Sequence, residues 1–210
     1  MVGGMPESAE EVYARVVAAV GANGRLPMPP VQEWDIFPWE VVDGAMVPKV
    51  LRAPQAEAEA PRTGAGGVDC FNCAGDGTAI RIWENDRWKV THPAEPGGLP
   101  LVLFLVAKEH LDFPDMGDDL ASEYGRISTW ICRIIERMPN IGRVHVNRWG
   151  DGSEHLHVWF IARTARLPGV LGSLAAEWEQ MLPPVPEEIW RADLRAVAAK
   201  LANHDGWALV

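Results

Sequence analysis

Cys70 and Cys73 are two thiols separated by two residues, and His110, His155 and His157 bring imidazoles farther along the chain. Two thiolates and two neutral imidazoles make a tetrahedral ligand set for zinc. The spacing C-x2-C-x36-H-x44-H, taken over Cys70, Cys73, His110 and His155, needs a fold to bring its parts together. A C-x-x-C pair also serves thiol redox chemistry, where it opens a helix in a βαβ setting. Here the pair follows a Gly-rich loop and precedes a hairpin signal, which suits a metal knuckle. Four protein ligands leave no open coordination position, so a zinc held this way is structural and does not activate water.

His155, Leu156 and His157 open a run that reads as strand. Period two puts His155, His157, Trp159 and Ile161 on one face and the more apolar Leu156, Val158 and Phe160 on the other. Two histidines on the first face have two readings. One is ordinary exposure on a half-solvated sheet. The other gives His155 to the metal and makes His157 a nucleophile toward phosphorus, neutral and oriented through its second nitrogen. On the preceding strand, His145 and Asn147 alternate with Val144 and Val146; one register sets them beside His157 and a one-residue slip turns them away. Ser153, in a Gly-rich turn, can donate to a phosphate or leaving oxygen, or can be a plain turn serine. Arg148 and Lys108 are candidate phosphate cations. Cys132, inside a helical pattern, reads as a small core residue.

The elements that must position these residues follow from periodicity and turn signals. Residues 7–20 predict a short helix ended by Gly21-Ala22-Asn23-Gly24. Prolines 27, 29 and 30 lead into the aromatic stretch 34–39, which lacks steady periodicity and is expected to be an arm packed on a core. Residues 54–67 read as a linker or exposed loop. A hairpin is expected from 79–83 and 88–91, then a buried strand over 101–107. Leu120, Tyr124, Ile127, Ile131, Ile134 and Met138 recur at three and four, predicting a helix over 118–138. Two strands, 142–148 and 155–163, follow around Gly150-Asp151-Gly152. A polar helix over 172–181 and a last helix over about 187–202 complete the chain. Hairpin, strand, helix, hairpin, helices is the order of an α+β fold with an antiparallel sheet and packed helices, and not of a βαβ repeat.

With 210 residues, 48% of them hydrophobic, the chain can bury a sizeable core. A formal charge of −10 without any Lys/Arg run argues against a nucleic acid polymer as partner, while leaving room for a small anionic ligand at a local site. No apolar run approaches the ~20 residues of a membrane span. The start of the chain has no basic flank of a signal peptide, and three cysteines do not make a disulfide framework. A cytoplasmic location is therefore expected. No Walker or Rossmann glycine loop is present.

Cys70-Phe71-Asn72-Cys73, the hairpin Ile82-Trp83-Glu84-Asn85-Asp86-Arg87-Trp88, Ala107-Lys108-Glu109-His110, and Asn147 through His155-Leu156-His157-Val158-Trp159-Phe160 occur in one order. Together they resemble the histidine triad superfamily, particularly its galactose-phosphate uridylyltransferase-like branch. The resemblance covers roughly residues 68–165 and implies a compact α+β domain, expected as a homodimer. Residues 1–67 are then an N-terminal helix and arm, and 166–210 a C-terminal helical extension. The resemblance implies a nucleotide or nucleotide-sugar ligand and a nucleotidyltransferase or phosphoanhydride hydrolase. In it His157 matches the nucleophile that forms a nucleotidyl-histidine intermediate, assisted by Ser153 and Asn147, with Arg148 and Trp159 near the ligand. Cys70, Cys73, His110 and His155 match the zinc positions. Two residues depart from the pattern. Trp159 stands where a third histidine or a glutamine is usual, and an indole has one donor and no acceptor. His92-Pro93 stands where small relatives carry a ribose-binding aspartate, with Glu95 the nearby substitute. These departures keep two alternatives: a non-catalytic nucleotide-binding domain, and a zinc-stabilised interaction protein.

Overall fold

The computed structural model describes residues 4–29, 35–75 and 79–210. The chain forms two compact units, one from Met1–Pro27 with Arg62–Val210 and the other from Met28–Pro61. Helix α1, Ala9–Ala19, starts with a capping box: Glu11 N–H donates to the Ser8 hydroxyl, and Ser8 N–H donates to the Glu11 carboxylate at 2.7 Å. The second unit holds a hairpin, β1 (Trp39–Val42) with β2 (Ala45–Pro48). Its turn is Asp43-Gly44, both at positive φ (51° and 79°), the conformation that a two-residue hairpin demands. The stretch expected as an irregular arm leads into this hairpin: residues 35 and 36 form a turn and residue 38 a bend, and residues 30–34 lie outside the described residues.

Cys70 launches a single helical turn, α2 (Phe71–Ala74), by accepting the N–H groups of Cys73 and Ala74 on its carbonyl. Gly75, left-handed at φ 72°, stops it. Strands β3 (Ile80–Glu84) and β4 (Trp88–His92) form the expected hairpin. Asn85 shapes its turn, its side-chain oxygen accepting from Arg87 and Trp88 N–H at 3.0 and 2.7 Å. Strand β5 is Leu101–Ala107 and helix α3 is Asp118–Glu136. Strands β6 (Ile141–Asn147) and β7 (His157–Thr164) follow, then helices α4 (Trp178–Met181) and α5 (Glu187–Ala202), and a short strand β8 (Trp207–Ala208).

Six strands pair antiparallel in the order β6-β7-β5-β4-β3-β8. Helices α3 and α5 cover one face. Ile127, Ile131 and Ile135 of α3 and Trp190, Val197 and Leu201 of α5 are buried with Val90, Leu103, Leu105, Val158 and Phe160 of the sheet. Truncating one such isoleucine to alanine costs about 2–5 kcal/mol. Part of the opposite face is covered too. Val102 and Ile161 are neighbours across β5 and β7, and they pack with Leu99, Val170, Ala175 and Leu182.

Two expectations need correction. Residues 172–181 are not one helix but a 3-10 turn, Gly172–Ala175, followed by the single turn of α4. The buried residues Val170, Ala175 and Leu182 are spaced to drape over the sheet, and that spacing does not make one helical stripe. Strand β7 begins at His157, two residues later than read. Leu156 N–H donates to Leu111 O at 2.8 Å, and the His155 carbonyl turns to the His157 ring instead of a neighbouring strand.

Candidate metal centre and the adjoining cavity

Cys70, Cys73, His110 and His155 come together as the spacing required, with one ligand atom of each within 4.8 Å of all the others. The α2 turn carries both cysteines. His110 follows the end of β5, and His155 precedes β7. His155 is fully buried; its Nε2 lies 2.7 Å from the Ala107 carbonyl. A carbonyl only accepts, so Nε2 carries the proton and Nδ1 offers its lone pair to the cysteines. Burial lowers the His155 pKa, which favours that neutral form. Nδ1 is 3.3 Å from Cys70 Sγ and 3.5 Å from Cys73 Sγ, and His110 Nδ1 is 3.4 Å from Cys73 Sγ.

These separations fit a tetrahedral ion. Bonds of ~2.3 Å to sulfur and ~2.0–2.1 Å to nitrogen, at tetrahedral angles, place S and N ligand atoms about 3.5 Å apart. Burial raises the Cys70 thiol pKa, but hydrogen bonds involving Cys73, His110 and Asn72 outweigh it and bring it below the ordinary value. Burial and the neighbouring Cys70 raise that of Cys73. Around the four ligands, the Ala107 carbonyl orients His155, and Glu154 stands 3.6 Å from His110 Nε2, the supporting shell that metal-bound imidazoles commonly have. Gly64 permits the close packing: a Cβ there would sit 3.2 Å from Cys70 Cβ, at a φ of 78°.

Next to this cluster the sheet face opens into a cavity of about 460 Å³. Its floor follows from register. His157 pairs with Val106, and Val106 with Lys89; one row along, Trp159 pairs with Phe104, Phe104 with Thr91, and Thr91 with Arg81. All line the cavity, with Phe71 and Asn72 of α2 and Thr63, Gly152 and Ser153 on its rim. His157 Nδ1 lies 2.8 Å from the His155 carbonyl. Nδ1 is therefore the protonated nitrogen, and neutral His157 keeps its Nε2 lone pair.

The loop carrying Ser153 is clamped. Thr63 bridges to Ser153, Thr63 N–H donates to Gly152 O, and Glu154 N–H donates to Thr63 O, both at 3.0 Å. Asp112 anchors the same region through Arg62 at 2.8 Å and Arg148 at 2.5 Å. Burial pushes the Asp112 carboxyl up, but the hydrogen bonds from Arg148, Phe113 N–H and Arg62 hold it below the usual range.

The structure brings His157, Ser153 and Trp159 to one cavity. Asn147 pairs with Trp159 and so shares its face, but it is not among the lining residues. Arg148 is engaged by Asp112 and lies 5.4 Å from the Phe113 ring centre; Lys108 pairs with Glu84 at 3.4 Å. The Trp159 ring meets Phe104 edge-on at 4.4 Å, and its indole N–H is buried without a hydrogen-bond partner among the described residues. His92 is 1% exposed and accepts from Trp190 Nε1 at 3.1 Å; burial lowers its pKa to about 4, so it is a neutral core histidine. Glu95 is exposed. Sequence reasoning missed Lys89, Thr91 and Arg81. Alternation along β4 was the available signal, since Trp88 and Val90 belong to the core between Lys89 and Thr91.

No family model and no curated protein matches the chain. Among solved structures, a Zn-bound histidine triad family protein from Mycobacterium smegmatis is 22% identical, covering 65% of this chain and 97% of its own, with a TM-score of 0.48. A histidine triad protein from Marinobacter aquaeolei VT8 is 17% identical, covering 63% and 93%, with a TM-score of 0.48. A hypothetical histidine triad nucleotide-binding protein from Sulfolobus tokodaii strain7 is 14% identical, covering 64% and 93%, with a TM-score of 0.47. The similarity is to histidine triad proteins. It does not single out the uridylyltransferase-like branch. The chemistry open to this chain follows from its own atoms. Among the described residues, no helix is long and apolar enough to cross a membrane.

Proposed function

We propose that the chain is a nucleotidyltransferase or nucleotide phosphoanhydride hydrolase that works through a nucleotidyl group carried on His157. One observation carries this reading: His157 Nδ1 donates to the His155 carbonyl, which leaves the Nε2 lone pair for a ligand in the cavity that His157 lines. Nε2 attacks the α-phosphorus, an N–P bond forms, and the P–O bond to the leaving group breaks with its electron pair going to that oxygen. As the ring becomes positive, its Nδ1–H bond to the carbonyl strengthens. Ser153, which lines the cavity, offers a hydroxyl to donate to the leaving oxygen. An acceptor oxygen then attacks phosphorus, the N–P bond breaks with its electron pair returning to Nε2, the proton of a water or hydroxyl acceptor passes to solvent, and neutral His157 returns. Covalent transfer divides one difficult displacement into two easier ones.

The metal is read as zinc, held by Cys70, Cys73, His110 and His155, a donor set of two thiolates and two imidazoles. With four protein ligands it supplies structure, fixing the backbone whose carbonyl orients His157. Asn147 and Arg148 enter the reading through the strand and loop that position Ser153 and Trp159. Two copies of the chain per molecule belong to the same reading. Strand β6 is an edge of the sheet with Val146 exposed, and light scattering showing only a 23 kDa species would remove that part.

His157→Gly tests the reading. Turnover of nucleoside phosphoanhydrides is expected to fall at least a thousandfold while metal content and unfolding temperature stay near those of the parent. Undiminished turnover in that variant would exclude His157 as nucleophile. Nucleotide binding without turnover in the parent protein would favour a binding domain, the role that Trp159 in place of a polar group allows.

A further inference from the structure

The cavity wall holds a cation that no carboxylate among the described residues pairs with. Lys89 is 8% exposed, and its ammonium makes one hydrogen bond, to the Asn72 carbonyl at 3.1 Å. An ammonium has three protons to place. No carboxylate among the described residues pairs with it, although the chain has 29 acidic residues against 19 basic ones. Its neighbours are treated differently: Lys108 has Glu84, while Arg62 and Arg148 share Asp112. Burying an unpaired ammonium is costly, so such a residue is kept for a partner that arrives.

Burial and the neighbouring Arg81 and Lys108 lower the Lys89 pKa, and the attraction of Cys73 and Cys70 does not offset them. Two thiolates and a divalent ion are already neutral together, with the two imidazoles uncharged. With the thiolates committed to such an ion, Lys89 is left to answer an anion in the cavity. Its place in the sheet is defined: Lys89, Val106 and His157 form one row across three adjacent strands. Two strand spacings, about 10 Å of backbone, separate it from the nucleophile. Thr91 lies on the same face of β4, and Arg81, paired with Thr91 on β3, brings a second cation to the same end. Arg81 keeps one contact to Glu84 at 2.7 Å. His157 thus stands at one end of the row, and Lys89, with Thr91 and Arg81 beside it, at the other. A ligand neutral at the second end would cover Lys89 and leave it more desolvated than before.

We propose that the substrate of this site carries, apart from the phosphates presented to His157, a separate anionic group that binds Lys89 at the far end of the cavity. The inference rests on His157 marking the reacting end. Its test is binding by the metal-loaded full chain of adenosine and uridine 5′-monophosphates against the corresponding 3′,5′-bisphosphates, followed by titration calorimetry. None of these has a phosphoanhydride, so binding is read apart from turnover. The bisphosphate is expected to bind at least tenfold tighter than its monophosphate, Lys89→Met to erase that preference, and Lys89→Arg to restore most of it. Metal content of each variant is measured alongside. If Lys89→Met loses the ion, Lys89→Gln, which keeps a donor for the Asn72 carbonyl, takes its place with the same expectation. Equal binding of the two ligands by the parent, or a preference that survives loss of Lys89, would overturn the second-anion assignment and leave the His157 reading standing. Failure of any nucleotide to bind would overturn both.

Discussion

One face of the sheet is finished in two different ways. At one end Val102 and Ile161 are sealed under Leu99, Val170, Ala175 and Leu182. At the other, four residues along the same strands, Val106 and His157 floor an open cavity beside a cluster of four ligand residues. The sealed end is held by apolar burial and by Glu179, which accepts from Leu99 N–H at 2.7 Å and whose carbonyl accepts from Gly98 N–H. Gly97 and Gly98 allow this approach, since a Cβ on Gly98 would lie 2.5 Å from Leu182 Cβ. The open end is held by polar anchors: the Cys/His cluster, the Ala107 and His155 carbonyls, and Asp112 with its two arginines. Packing alone positions a surface that needs only to be covered. A surface that must hold a histidine in one tautomer over a cavity needs directional contacts.

The contrast can be broken at either end. The largest effect is expected from Cys70→Ser, which removes a metal ligand: metal lost, the 62–75 and 148–157 segments loosened, and an unfolding midpoint lower by about 10 °C or more, the shift of a loss of several kcal/mol in a chain of this size. Calorimetry with elemental analysis reads it. Ile161→Ala, at the sealed end, is expected to cost about 2–4 kcal/mol by urea unfolding while the ion stays bound. If it released the metal instead, the two ends would not be separable. Asp112→Asn weakens the anchor of the loop bearing Ser153 and should cost about 1–3 kcal/mol at pH 7. The parent should lose that contribution as pH falls: the Asp112 pKa is depressed on folding, so its stabilisation is full above the unfolded value and fades through the lower folded one.

The smallest effect has the opposite sign. Burial raises the Glu179 pKa to about 7 from an ordinary 4.5. The folded state then binds the extra proton, so stability from the sealed end falls as pH rises from about 4.5 to 7. Glu179→Gln should flatten the parent's slope in that window by about 1 kcal/mol per pH unit. Stability curves at pH 4.5 and 8 would show it, and an unchanged slope would remove Glu179 as its source.

Local signals gave away much of this molecule. The three-and-four spacing of Ile127, Ile131 and Ile134 announces α3, and alternation of Leu156, Val158 and Phe160 picks the core face of β7. The Cys70/Cys73 pair pointed to a knuckle because thiols that close together can share an ion. Asp43-Gly44 was an equally local hairpin signal, obscured by the prolines and aromatic residues before it. Lys89 was harder to read. Its alternation with Trp88 and Val90 is visible, but its meaning comes from the pairing of β4 with β5 and β5 with β7, which joins residues far apart in the chain. Arg148 shows the same limit from the other side. An arginine beside a glycine turn fits a phosphate on type alone, and only the fold brings Asp112 to it.

Denaturing mass spectrometry after brief exposure of the metal-loaded protein to a reactive nucleotide substrate tests the central claim most directly. The account predicts one nucleotidyl group per chain, mapped to His157, and absent from His157→Gly. Rapid turnover with no adduct on His157, or with the adduct on another residue, would contradict it.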